Sequence, residues 1–121
     1  MNWTSLLLFA AVILLLVVLR RAGRISAQAA REHIRNGALV IDVRTQGEYA
    51  SSHLPKVMHI PLNEIESRLP QRVPDKSTVL LLHCQSGMRS RIAKNKARAL
   101  GYRQAFNLGS LARAGRIVAG K

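Results

Sequence analysis

The sequence predicts an α/β fold, an open parallel sheet flanked by helices and preceded by one transmembrane helix. Three observations point there. Residues 38–43 and 79–83 are short runs of apolar β-formers, the pattern of strands buried on both faces of a parallel sheet. Around them lie stretches with helix start and stop signals, and such β/α alternation puts helices on both faces of the sheet. At the N-terminus every residue from 6 to 19 is apolar.

The N-terminal run is read first. Residues 3–19, interrupted only by Thr4 and Ser5, span about 25 Å as a helix at 1.5 Å per residue. That is slightly short of the roughly 30 Å hydrocarbon layer. Trp3 suits one interface, and Arg20 and Arg21 can snorkel at the other. A cleaved signal peptide carries basic residues before its apolar core and small residues after it. Here no Lys or Arg precedes Trp3, whereas Arg20, Arg21 and Arg24 follow the run. The expectation is an uncleaved single-pass anchor over residues 1–24, its N-terminus outside, and a domain over residues 25–121 facing the cytoplasm.

Beyond the anchor, Ser26 is a candidate N-cap for a helix over residues 27–36, with Gly37 as its stop. The strand at 38–43 follows. A short helix is expected after Asn63, capped by that side chain, with Pro70 and Pro74 marking a loop. The strand at 79–83 then leads into a loop and a helix over 90–100 ending at Gly101, and 104–108 is a last short strand. No internal repeat or low-complexity segment interrupts this order.

The most informative residue is the only cysteine of the 121, Cys84. It ends the second strand run and begins Cys84-Gln85-Ser86-Gly87-Met88-Arg89-Ser90, which leads into a helix. The unpaired amides and partial positive charge of a helix N-terminus, the flexibility of Gly87 and the cation of Arg89 all favour a thiolate over a thiol. The same features make a cradle for an anion. A lone cysteine excludes an internal disulfide framework and points to a reducing compartment.

Two further motifs lie upstream: Asp42-Val43-Arg44 followed by Glu48-Tyr49, and His53-Leu54-Pro55 followed by Ile60-Pro61. With the cysteine loop ending in Gly87-Met88-Arg89-Ser90, these three signatures stand in the order found in the single-domain rhodanese family of sulfurtransferases, and residues 25–108 resemble that family. Ser52, Lys56 and Val57 stand where the family usually has Gly, Gly and Ala. The C-terminus departs further: the family's closing Gly-Gly and Trp are represented only by Gly109, which implies a more open pocket.

The resemblance implies a chemistry. A Cys84 thiolate attacks the outer sulfur of a small anionic donor such as thiosulfate, sulfite leaves, and a persulfide remains until a thiol or cyanide accepts the sulfur. Backbone amides of Gln85, Ser86, Gly87, Met88, Arg89 and Ser90 would hold the donor and the charged persulfide. Arg89 would also bind an oxyanion, and Ser90 would cap the next helix or bond a loop carbonyl. Arg44 and Glu48, four apart, are placed to pair on a short helix and, with Asp42, read as fold elements. Only four residues separate Cys84 from Arg89, a smaller ring than the five-residue spacing of phosphatase loops on this fold. No acid that could protonate a leaving alcohol occurs after Asp75.

The remaining features bound the alternatives. His33, His53, His59 and His83 show no metal-ligand spacing, so no metal or other cofactor is expected. Strand alternation turns His83 away from Cys84. The formal charge of +13 includes Arg89, Arg91, Lys94, Lys96, Arg98 and Arg103 in one stretch without an acid, which suits an anionic membrane surface. Nucleic acid is not expected, because aromatics for stacking are few. The reading is a membrane-anchored rhodanese-like sulfurtransferase. A non-turnover persulfide carrier of the same fold, or a basic membrane-surface adaptor in which Cys84 is incidental, are the alternatives.

Overall fold

The computed structural model describes residues 2–120. Four parallel strands, β1 (Leu39–Asp42), β2 (Met58–His59), β3 (Leu80–His83) and β4 (Ala105–Gly109), form one sheet in the order β2-β1-β3-β4. The helices are α1 (Trp3–Ala22), α2 (Ala27–Arg35), α3 (Gln46–Ser51), α4 (Ile65–Arg72), α5 (Met88–Ala99) and α6 (Leu111–Val118). Buried on both sides, the strands send successive side chains to opposite faces of the sheet as the pleat requires. Ile41, Leu80, Leu82 and Cys84 pack with Ile65, Leu69, Ala93, Ala97 and Tyr102 of the α4/α5 side. Val40, Leu81 and Leu108 pack with Ala30, Ala114 and Ile117 of the α2/α6 side. The open parallel sheet with helices on both faces is therefore the one expected.

Local chemistry accounts for most boundaries. Ser26 caps α2 by accepting the Ala29 N–H at 3.2 Å. Thr45 and Glu48 form a reciprocal capping box that starts α3, so Glu48 does belong to a short helix. Asn63 caps nothing. It lies in a 3-10 turn over Leu62–Glu64, and α4 begins without a side-chain cap. Pro70 is inside α4 rather than in a loop; burial of Ile65 and Leu69 holds this two-turn helix although proline removes one of its hydrogen bonds. Helix α6 lies beyond the last element the sequence predicts. Ser110 starts it by accepting the Arg113 N–H at 3.1 Å.

The expected membrane span is not found: among the described residues no helix is long and apolar enough to cross a membrane. The physical reason is length. The unbroken apolar run of α1, residues 6–19, measures about 21 Å at 1.5 Å per residue, against a hydrocarbon layer of about 30 Å. The helix itself forms, and its large apolar side chains between Trp3 and Leu19 are exposed.

Candidate active site

Strand β3 stops at His83, and the next residues are held by β4 and the start of α6. The Cys84 N–H donates to the Gly109 carbonyl at 3.2 Å and the Leu111 N–H to the Gln85 carbonyl at 3.3 Å. Ser86 and Ser110 form an antiparallel bridge. The chain then reverses at Gly87, which has φ 97° and occupies the N-cap of α5. A side chain at Gly87 would meet Gly109 at 3.5 Å, an ordinary contact, so it is the left-handed backbone rather than space that calls for glycine. The C-terminal segment lacks the family's usual closure, yet it backs the loop closely.

The Cys84 thiol is buried beneath exposed Gln85, Ser86 and Met88. Its Sγ accepts the Gly87 N–H at 3.0 Å, and the Ser90 hydroxyl lies 3.5 Å away. Burial pushes the thiol's pKa up, but the Ser90 hydroxyl and the amides of Ser90, Gly87 and Ser86 together draw it below its ordinary value. The thiolate is the reactive form, so a lowered pKa moves the onset of alkylation to lower pH. The rate of Cys84 alkylation by iodoacetamide is therefore expected to reach half its plateau below about 8.5, the value of an unperturbed thiol. A midpoint at or above that value would show that the loop does not favour the anion.

Ser90 is buried and has one proton to give. Its Oγ lies 2.7 Å from Asn107 Oδ1 and 3.1 Å from the Gly87 carbonyl. Asn107 in turn accepts the Gly109 N–H at 3.0 Å and donates to the Gly87 carbonyl at 3.1 Å. Asn107 thus ties β4 to the middle and the far end of the loop, Gly87 and Ser90. Sequence reasoning placed it only in a strand, because nothing in a strand's periodicity marks one polar side chain as a brace.

Two ion pairs clamp the loop from the α3 side, and they are not the pair expected. Arg44 reaches Asp42, not Glu48, with contacts of 2.8–3.1 Å; both are buried. Arg44 also donates to the Ser52 carbonyl at 2.7 Å and approaches Gln85 Oε1 at 3.4 Å. Burial alone would raise the Asp42 carboxyl, but the Arg44 hydrogen bonds outweigh it and hold the group below its usual value. Glu48 instead receives Arg89 in a two-pronged contact of 2.6 and 3.0 Å, which with the capping bonds from Thr45 lowers its carboxyl to about 2. The Arg89 guanidinium therefore enters the site already paired.

Around this frame, Tyr49 stacks between His53 at 3.9 Å and His59 at 4.2 Å, centroid to centroid. His59 Nε2 lies 2.8 Å from the Arg44 carbonyl, so the second motif supports the first. His83 is buried with Nε2 3.9 Å from Asp42. Burial lowers its pKa, against the opposing pull of Asp42, and the strand alternation carries it to the face opposite Cys84. The basic stretch is partly consumed by the fold: Lys96 pairs with Glu66 at 3.0 Å and Arg98 donates to the Ala105 carbonyl at 2.9 Å. Among the described residues no cluster could hold a metal ion.

Residues 26–111 match the model of the rhodanese-like domain. The thiosulfate sulfurtransferase PspE of Escherichia coli is 35% identical over 71 residues, 59% of this chain and 68% of that protein. A provisionally assigned sulfur carrier protein of Bacillus subtilis is 33% identical over 69 residues, and the alignment spans only 36% of its length. A human single-domain sulfurtransferase structure superposes with a TM-score of 0.64 at 30% identity, covering 82% of this chain and 96% of that one.

Proposed function

The chain belongs to the rhodanese-like domain family, whose similar members include sulfurtransferases and a sulfur carrier, and on that premise we propose that it transfers sulfane sulfur through a persulfide on Cys84. The observation that carries the proposal is the Cys84 sulfur held 3.0 Å from the Gly87 amide at the head of α5. In the first half-reaction the thiolate of Cys84 attacks the outer sulfur of a donor such as thiosulfate. A Cys84 S–S bond forms, the donor's S–S bond breaks, and its electron pair leaves on sulfite. In the second, a thiol or cyanide takes the outer sulfur and the electron pair returns to Cys84 as thiolate. Amides from Gln85 to Ser90 receive the negative charge at each stage. Arg89, paired with Glu48, acts in this scheme by fixing the loop's far end more than by meeting the donor alone.

Mass spectrometry of the protein after exposure to thiosulfate tests this directly. A gain of one sulfur atom on Cys84 that cyanide removes supports a sulfurtransferase. A gain that no acceptor removes supports a carrier, and no gain with several donors leaves the basic adaptor.

A specific observation favours attachment to a membrane as well. Helix α1 is apolar on all sides and uncovered, with Leu8 69%, Phe9 65% and Leu14 64% exposed, and such a helix needs an apolar surrounding. Its basic end, Arg20, Arg21 and Arg24, suits anionic headgroups. In this proposal α1 is embedded in one leaflet without crossing the bilayer, and the domain over residues 25–121 lies on the cytoplasmic side. Fractionation with the membrane and shielding of Cys84 from an impermeant thiol reagent in intact cells are expected. Recovery in the soluble fraction overturns the attachment, and labelling in intact cells overturns the sidedness.

A further inference from the structure

Outside α1, the large hydrophobic side chains that stand exposed among the described residues are Met88, at 66%, and Ile92, at 47%. They lie four apart on α5, one above the other on the same side of the helix. Arg91 and Asn95 are exposed on that side with them. The sequence has no acid after Asp75, so α5 supplies none of its own. Arg89 and Lys96 are paired with Glu48 and Glu66, whereas among the described residues Arg91 and Lys94 form no ion pair. Burial and the charges of Arg98 and Arg91 lower the Lys94 pKa, which marks the crowding of positive charge along this helix.

This face adjoins α1. Leu19 in α1 and Arg24 just after it line a cavity of about 150 Å³ together with Met88 and Arg91, so the end of the apolar helix and the first turn of α5 border the same opening. Two apolar side chains set among unpaired cations have the composition of helices that lie in a bilayer interface. There the apolar groups enter the acyl boundary and the cations stay at the headgroups. Anionic lipid is the matching partner for the charge. An acidic protein would also match the cations, but a bilayer accepts in addition the uncovered α1 that leads into the same face.

We propose that the exposed face of α5, Met88, Arg91 and Ile92 flanked by Lys94, docks the domain on the anionic headgroup layer of the bilayer that takes α1. The proposal rests on the membrane attachment of α1 and names the part of the domain that meets the surface. Met88 and Ile92 enter the acyl boundary, and Arg91 and Lys94 meet lipid phosphates. Docking fixes the direction in which the domain faces. Gly87 is the N-cap of α5, and its amide lies 3.0 Å from Cys84 Sγ, so the docked cysteine loop stands at headgroup level.

The test uses the full chain carrying Trp3→Phe, which removes the only native tryptophan, and one fluorescent reporter at a time. Ile92→Trp reports from the docking face and keeps it apolar. Gln71→Trp reports from the exposed end of α4, where the chain has returned to the N-terminal edge of the sheet. Each protein is mixed with phosphatidylcholine vesicles, with or without phosphatidylglycerol, that contain lipids brominated near the headgroup as contact quenchers. Ile92→Trp is expected to be quenched when phosphatidylglycerol is present and to recover at high salt, and Gln71→Trp to stay bright throughout. Adding Arg91→Gln to Ile92→Trp is expected to shift the equilibrium about fivefold toward the undocked state. If the protein sediments with the vesicles but Ile92→Trp is not quenched, is quenched equally without phosphatidylglycerol, or is matched by Gln71→Trp, the docking face is overturned. If the protein does not sediment with neutral vesicles, the attachment through α1 fails first and the face is tested alone on anionic ones. Salt-sensitive sedimentation that Arg91→Gln weakens about fivefold supports the face, and its absence overturns it.

Discussion

Cys84→Ser is expected to abolish sulfur transfer to cyanide and to dithiothreitol, by about a thousandfold or more, while leaving the fold intact. The serine hydroxyl can still accept the Gly87 N–H that the sulfur accepts at 3.0 Å, and it is slightly smaller than the thiol it replaces in a buried position, so the loop has little reason to rearrange. What is lost is the anion. An alcohol is almost wholly protonated near pH 7, whereas the loop stabilises a thiolate, and only the anion attacks a sulfane sulfur at a useful rate. Steady-state assays with both acceptors, together with thermal melting, separate the two effects. Retained activity in a variant that melts like the wild type would remove Cys84 from the chemistry.

Asp42→Ala is expected to be the most damaging change to stability, about 3–5 kcal/mol, because it leaves the Arg44 guanidinium buried without its carboxylate. Against a total of about 5–15 kcal/mol for a domain of this size, that is enough to make folding marginal. The cost belongs to the uncompensated charge rather than to the pair, so replacing both partners with apolar residues, Asp42→Leu with Arg44→Met, is expected to recover much of it. Urea denaturation reads both, as a shift of midpoint at constant slope. Glu64→Gln is the control. Its partner Arg68 is 3.5 Å away and half exposed, and the expected change is below about 0.5 kcal/mol. A loss below about 1 kcal/mol for Asp42→Ala would mean that Arg44 finds adequate partners in the Ser52 carbonyl and Gln85.

Both predictions concern residues visible in the sequence, but for different reasons. Cys84 was legible because its chemistry is local: a thiol at the end of a strand run, a glycine to reverse the chain and a helix start after it all lie within seven residues. The strands β1 and β3 were legible because both faces are buried, which leaves an uninterrupted apolar run. The helix α2 announced itself through Ser26 and Gly37. The capping box of Thr45 and Glu48 is equally local, a threonine and a glutamate three residues apart at the start of α3.

Partner choice was not legible. Arg44 and Glu48 are four apart and of opposite charge, yet Asp42 takes Arg44, and Glu48 takes Arg89 from 41 residues away. Which pairs form depends on where β1, α3 and α5 stop relative to one another. Asn107 was hidden for the same reason, its importance resting on Gly87 and Ser90 lying beside it in space.

The sequence by itself therefore determined the α/β class, the two central strands, the place of the lone thiol and the loop around it, because burial, backbone freedom and helix-terminal charge are properties of short stretches of chain. Tertiary structure alone decided which cations are spent on the fold and which still line an open cavity. A charge's availability is set by the distance to its nearest opposite, and that distance exists only once the strands have been brought into register and the helices laid across them.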